Sequence, residues 1–173
     1  MPLIDYVTDH DEDGVYEKRS LYTEVRMHNP AVVRAQTAYF ERLLEAGIVD
    51  AELYDYIVAA IAPINRSAYC AASHRENLAT MRDVPEETVA ALREGDYGAL
   101  DEFERTVVEF AVQVVRDPKA VDEADIERLY EVGFEDSDVV QLLALIGDGA
   151  TANLFNAALD VDPADRDDDL PTF

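Results

Sequence analysis

Apolar positions recur at helical spacing along most of the chain. Asn29 and Pro30 have the chemistry of an N-cap and first helical residue, and Val33, Thr37, Phe40, Leu43 and Leu44 then repeat every three or four residues until Gly47. Asp50 can cap a second helix with Leu53, Ile57, Ala60 and Ile61 on its apolar side, interrupted at Pro63 and Asn65. A third is predicted from Ser67 to about Met81, and a short one from Pro85 to Gly95. The segment Leu100 to Arg116 carries Phe103, Val107, Phe110, Ala111 and Val114 on one stripe and stops at Pro118. Asp122 opens a helix through Tyr130 that Gly133 ends, and an acidic start at Asp136 leads into Val139, Leu142, Leu143, Leu145 and Ile146, continuing towards Leu159. No set of alternating strands separated by turn dipeptides is present, so the pattern predicts an all-α single-domain bundle of about 7 helices.

The ends of the chain read differently. Residues 1–20 hold Asp9, Asp11, Glu12 and Asp13 around His10 without sustained periodicity, and 161–173 include Asp162, Asp165, Asp167, Asp168 and Asp169. The expected organisation is an acidic N-terminal extension over 1–20, a helical domain over 21–160 and an acidic tail over 161–173. The carboxylates around His10 lack the ordered spacing of a calcium loop, so they are read as solvated side chains.

Composition then narrows the setting. With 173 residues, 49% of them hydrophobic, the chain can bury a core of its own. Its 38 acidic against 14 basic residues give a formal net charge of -24, which repels phosphate backbones and anionic bilayers. Nucleic acid and membrane are therefore not expected partners. Such charge destabilises a compact chain by self-repulsion unless salt screens it, and at molar ionic strength the Debye length falls to roughly 3 Å. The acidity, with only Lys18 and Lys119 as lysines, is read as adaptation to a salt-rich cytoplasm, the alternative being an acidic surface for cation binding or for one basic partner. Cys70 is the single cysteine, so no intrachain disulfide can form. Met1 to Val7 lack the features of a signal peptide, and the expected compartment is the cytoplasm.

One constellation carries chemistry. In Asn65-Arg66-Ser67-Ala68-Tyr69-Cys70-Ala71-Ala72-Ser73-His74, a helix stacks Cys70 and His74 one turn apart on one face. With Ser67 as N-cap, Cys70 takes the third helical position, where free amides and the helix dipole favour a thiolate; a lowered thiol pKa is the expectation. The plain alternative is a small buried Cys70 among Ala68, Ala71 and Ala72, with His74 satisfied nearby. Tyr54, Tyr56 and Tyr69 lie close in sequence and either line such a site or pack between helices. His28 reads as a residue leading into a helix, and Asn153 as a hydrogen-bonding group at a helix end or between subunits.

This segment resembles the core motif of the carboxymuconolactone decarboxylase and alkylhydroperoxidase D superfamily, in which a Glu-bearing helix precedes Cys-x-x-Cys-x-x-x-His. The second motif cysteine falls on Cys70, the histidine on His74, the first cysteine on Ser67 and the glutamate on Asp55. Asn29-Pro30, Arg116-Asp117-Pro118, Gly133-Phe134, and Asn153 before Val161-Asp162-Pro163 are similar to its peroxidase-related branch, over roughly residues 22 to 163. The resemblance implies an all-helical subunit in a homo-oligomer, a trimer or hexamer. It implies Cys70, His74, Asp55 and Ser67 as site residues, a small peroxide as substrate, and an external thiol or redox protein as electron donor. No cofactor and no metal are expected. Ser67 cannot close a dithiol cycle, and Asp55 is one methylene shorter than the family's acid. Single-cysteine peroxidase chemistry, a non-catalytic oligomeric scaffold, and acid/base work of the decarboxylase kind by His74 and Asp55 are the three expectations that remain.

Overall fold

The computed structural model describes residues 2–7 and 20–165; the carboxylates around His10 and those beyond Asp165 lie outside the described residues. Eight α-helices follow one another: α1 Leu21–Arg26, α2 Pro30–Leu44, α3 Ala51–Ile61, α4 Ala68–Met81, α5 Glu86–Glu94, α6 Glu102–Arg116, α7 Glu123–Glu131 and α8 Asp136–Ala158. A 3-10 turn closes Pro163–Asp165, and no strand occurs among the described residues. The seven helices from α2 to α8 are those the hydrophobic pattern predicts. The eighth, α1, is additional: Ser20 caps it by accepting from the Thr23 amide at 3.1 Å, and Leu21 and Val25 bury its inner side.

Local chemistry sets the helix ends. Asn29, Asp50, Ser67, Asp101 and Asp122 each cap the following helix through a side-chain oxygen, and Asp101 and Asp122 form reciprocal capping boxes. Arg66 sits at φ 59°, a left-handed residue that turns the chain between α3 and α4 and delivers Ser67 to its cap.

Helix α3 is the hub. Every residue from Leu53 to Ile61 is buried, the signature of a helix enclosed on all sides, and α4, α5, α6 and α8 pack around it. Helix α8, about 35 Å long at 1.5 Å per residue, crosses α2, α3, α4 and α6. Gln141 on α8 ties down the α2–α3 loop: its amide donates to the Leu43 carbonyl at 2.7 Å and the Val49 carbonyl at 3.2 Å, and accepts from the Val49 N–H at 3.1 Å.

Further along, Gly149 lets α8 approach α3. A Cβ there would lie 2.9 Å from Val58 Cγ2, in a region where Val58 and Ile61 are fully buried. Gly149→Ala is therefore expected to force α8 outward and to destabilise by about 1–3 kcal/mol, the usual penalty of overpacking, despite alanine's better helix propensity. Chemical unfolding checks it; an unchanged or raised stability would show that the helices can yield.

The described chain ends pack against this body. The Leu3 amide donates to the Leu159 carbonyl at 2.8 Å, Val7 N to the Glu24 carbonyl at 3.2 Å and the Tyr6 hydroxyl to Asp165 Oδ2 at 3.2 Å, while Val161 is buried. His28 Nε2 meets the Asp5 carbonyl at 2.8 Å, which fixes the start of the chain beside the α1–α2 junction. No helix among the described residues is long and apolar enough to cross a membrane.

Candidate active site

Asp55 on α3 and His74 on α4 face each other where the two helices pack. The Asp55 carboxylate is 5% exposed and meets three groups: Oδ1 takes the His74 ring at Nδ1, 2.7 Å away, and the Asn77 amide at 3.1 Å, while Oδ2 takes Arg82 Nε at 3.4 Å. A carboxylate accepts and does not donate, so the proton on the imidazole belongs on Nδ1. Nε2 is left as the basic nitrogen, with no hydrogen bond among the described residues. The aspartate, though shorter than the glutamate of the resembled motif, thus reaches His74 directly.

Cys70 lies one turn before His74 on α4 and is only 3% exposed. Its amide donates to the Ser67 hydroxyl at 3.4 Å, completing the cap, and its sulfur receives the Asn156 amide from α8 at 3.1 Å. The lowered thiol pKa expected from sequence is corrected here: burial pushes the Cys70 thiol up, and the Ser67 and Asn156 hydrogen bonds and the Arg26 charge offset that only in part. The helix terminus does favour a thiolate, but the loss of water outweighs it. Cys70 rests as a neutral thiol at neutral pH.

A second carboxylate borders the site. Tyr54, one residue before Asp55, is buried, donates its hydroxyl to Asp148 Oδ2 on α8 at 2.8 Å, and sets its ring edge-on to the His74 ring with centroids 5.7 Å apart. Phe40 packs on the other side of Tyr54 at 4.7 Å. Helix α1 adds Arg26, whose guanidinium lies over the Tyr22 ring, and whose charge acts on both Cys70 and Asp148. Tyr56 and Tyr69 are buried in the core. Asn153 is fully buried within the subunit and neither amide atom has a partner, so it does not act at an exposed helix end. No group of three or more metal-ligating side chains occurs among the described residues.

Burial pushes the Asp148 carboxyl above the usual range, against the Tyr54 hydrogen bond and the charges of Arg26 and His74. A pKa raised in the folded state contributes stability that is complete below the unfolded value, about 4, and is lost as pH rises through the folded value. Asp148→Asn keeps an oxygen for Tyr54 and removes this titration. The variant is expected to be more stable than wild type at pH 7, with the difference vanishing below about pH 4. A stability difference that does not change with pH would contradict a buried, titrating Asp148.

The bundle of eight helices built on α3, with Cys70 and His74 one turn apart on α4 and Asp55 on the preceding helix, has the alkylhydroperoxidase D-like fold. The fold comparisons agree with the resemblance read from the sequence. An uncharacterized peroxidase-related protein of Ralstonia eutropha JMP134, described as an alkylhydroperoxidase AhpD core, superposes with a TM-score of 0.73 at 25% identity, covering 81% of this chain and 74% of its own. A peroxidase-related protein of Silicibacter sp. TM1040 gives 0.72 at 23% identity over 79% and 72%. The debrominase Bmp8, solved with 2,3,4-tribromopyrrole, shares the fold with a TM-score of 0.63 at 23% identity over 80% and 74%. No family model matches the chain, and no curated protein matches it.

Asn77, Arg82, Asp148 and Asn156 escaped the sequence reading. Asn77 lies one turn after His74 on α4 and Arg82 is that helix's C-cap, so both were within reach of local spacing but carried only a weak signal as polar residues. Asp148 and Asn156 reach the site from 94 and 86 residues away, which local spacing cannot reveal.

Proposed function

We propose that this chain is a single-cysteine thiol-dependent peroxidase, with Cys70 as the redox atom and the His74–Asp55 pair as its proton relay. The observation that supports it most is the 2.7 Å His74–Asp55 contact, held by Asn77 and Arg82, one helical turn from the only sulfur nucleophile. A neutral resting thiol needs a base at the moment of attack, and His74 Nε2 is free to serve as one. His74 takes the Cys70 proton, and the sulfur attacks the terminal peroxide oxygen. The S–O bond forms as the O–O bond breaks, and the departing alkoxide leaves as an alcohol with the proton from His74. The resulting sulfenic acid condenses with an external thiol, releasing water; a second thiol reduces the mixed disulfide and restores Cys70. Ser67 caps the helix and cannot resolve the sulfenic acid, so the reductant comes from outside.

The test is peroxide-dependent sulfenylation of the intact protein in molar KCl, with peroxide loss followed beside an added small thiol. A cyclic-dione adduct at Cys70 together with thiol-dependent peroxide consumption is expected. The absence of both signals would sink the reading. The 3% exposure of Cys70 favours one rival, a scaffold in which the thiol is an inert part of the core; such a protein would resist thiol reagents while folded.

Self-association is part of the proposal. Along α8, Val140, Leu143, Gly147, Thr151 and Leu154 form an exposed, uncharged stripe, with Val140 67% and Leu154 60% accessible. On a chain of net charge -24, such a stripe is where copies can meet with least repulsion. A trimer or hexamer is expected in light scattering, and the double variant Val140→Glu/Leu154→Glu is expected to run as a folded monomer. An unchanged mass would place the interface elsewhere.

A further inference from the structure

The Asn156 side chain is 1% exposed, and its two polar atoms have different fates. Nδ2 donates to Cys70 Sγ at 3.1 Å, whereas Oδ1 is buried with no hydrogen-bond partner. An unmet buried acceptor is unfavourable, and of the buried amides that leave their oxygen unmet, Asn77, Asn153 and Asn156, it is Asn156 whose nitrogen meets the sulfur. The orphan belongs to the group already pointing at the sulfur, and the N–H to sulfur contact fixes the plane in which it lies. An acceptor beside a reactive sulfur fits a donor that appears only when the sulfur gains an oxygen.

We infer that Asn156 is a second catalytic group at Cys70, its Nδ2 holding the sulfur during attack and its Oδ1 receiving the O–H of the sulfenic acid. The inference rests on the thiol-peroxidase reading and adds a residue to it. Before oxidation the amide N–H stabilises negative charge developing on sulfur as the proton leaves for His74. After the S–O bond forms and the alcohol departs, the new hydroxyl supplies the donor that Oδ1 lacks. The sulfenic acid is thereby retained for the external thiol, and its ionisation to the sulfenate, from which a second peroxide would carry it to the sulfinic acid, is opposed. Asn156 projects from α8 and Cys70 from α4, so the cradle exists only where these helices pack together.

Two variants test the idea in the intact protein at molar KCl: Asn156→Ala, which removes both functions, and Asn156→Asp, which keeps the shape but replaces the donor with an acceptor. Iodoacetamide alkylation of Cys70 is followed against pH, and the lifetime of the hydrogen-peroxide-generated sulfenic acid by delayed dione trapping and mass spectrometry. Asn156→Ala is expected to slow alkylation at neutral pH about tenfold, the loss of one charge-assisted hydrogen bond. Asn156→Asp is expected to slow it further. Asn156→Ala, which has no acceptor, is expected to accumulate sulfinic acid at peroxide concentrations that leave wild type at the sulfenic stage, whereas Asn156→Asp, which keeps one, is not. Superimposable alkylation profiles for wild type and Asn156→Asp would overturn the donor role, and equal sulfinic acid yields from wild type and Asn156→Ala the acceptor role. A wild-type protein that forms no sulfenic acid would instead overturn the peroxidase reading and the acceptor role with it, while the alkylation profiles would still decide the donor role. Should Asn156→Ala fail to fold, the near-isosteric Asn156→Leu, which also lacks both polar atoms, carries the sulfinic acid comparison.

Discussion

Asp55→Ala is expected to lower the unfolding free energy by about 3–5 kcal/mol, the loss seen when one partner of a buried charged pair is removed. The carboxylate is the common acceptor for His74, Asn77 and Arg82, so its deletion strands donors on α4 and on the turn after it. It also leaves a cavity in α3, the helix around which the others pack. Arg82, with 30% of its side chain exposed, recovers some hydration, which moves the expectation towards the lower end. For a domain of this size each kcal/mol corresponds to roughly 2–4 °C in melting temperature, so a fall of about 10 °C is expected in molar salt. Asp55→Asn should lose less, since one amide oxygen still accepts from His74 while the amide nitrogen faces Arg82 as a second donor. If Asp55→Ala melted within about 2 °C of wild type, the three contacts would be surface-like in strength.

The two carboxylates near His74 differ in a way that follows from their surroundings. Asp55 is enclosed by donors on both oxygens, whereas Asp148 is matched by one tyrosine hydroxyl and by charges at a distance. Burial therefore raises the Asp148 carboxyl, with only the Tyr54 hydroxyl and those charges to offset it. Asp55 on α3 gathers the donors of α4 and its C-cap, while Asp148 on α8 is the carboxylate that burial pushes up.

Most of the fold was legible because helix boundaries depend on short-range chemistry. Asn29, Asp50, Ser67 and Asp122 announce their helices by side-chain capping, and each caps the helix it was read to cap. Helix α1 was not legible: at six residues it spans less than two turns, Leu21 and Val25 are its only apolar repeat, and it lacks an acidic residue at the third position for a capping box. Its identity as a helix comes from packing on the body of the protein, which also places Arg26 near Cys70 and Asp148.

The site was half legible for the same reason. Cys70, His74 and Ser67 share one helix start, and Asp55 occupies the acid position of the resembled motif, so spacing sufficed to group them. The thiol's ionisation was misjudged because spacing reports the helix dipole but not the desolvation that opposes it; Cys70 is covered by α8, which begins 66 residues later. Ser67 illustrates the same boundary between local and global information. Its cap bond to the Cys70 amide was predictable from sequence, while the Asn156 bond that meets the same residue's sulfur was not.

Cys70→Ser is expected to abolish thiol-dependent peroxide consumption while leaving the fold intact, because serine is close to cysteine in size and its hydroxyl can still receive the Asn156 amide. His74→Ala is expected to reduce the same activity by about 10²–10⁴-fold, the range for removing a general base. The two losses arise differently. Without sulfur there is no atom to accept the peroxide oxygen, so no pH restores turnover. Without the imidazole the thiol must ionise unaided, and since burial pushes the Cys70 thiol up, residual activity in His74→Ala should climb with rising pH as thiolate accumulates. Steady-state peroxide loss against pH in molar KCl, wild type beside both variants, separates these cases. A Cys70→Ser protein that retained turnover on a small lactone or carboxylic acid while His74→Ala lost it would transfer the chemistry from the sulfur to the imidazole–carboxylate pair. Equal, pH-independent loss in both variants would indicate that His74 supports the site's structure and moves no proton.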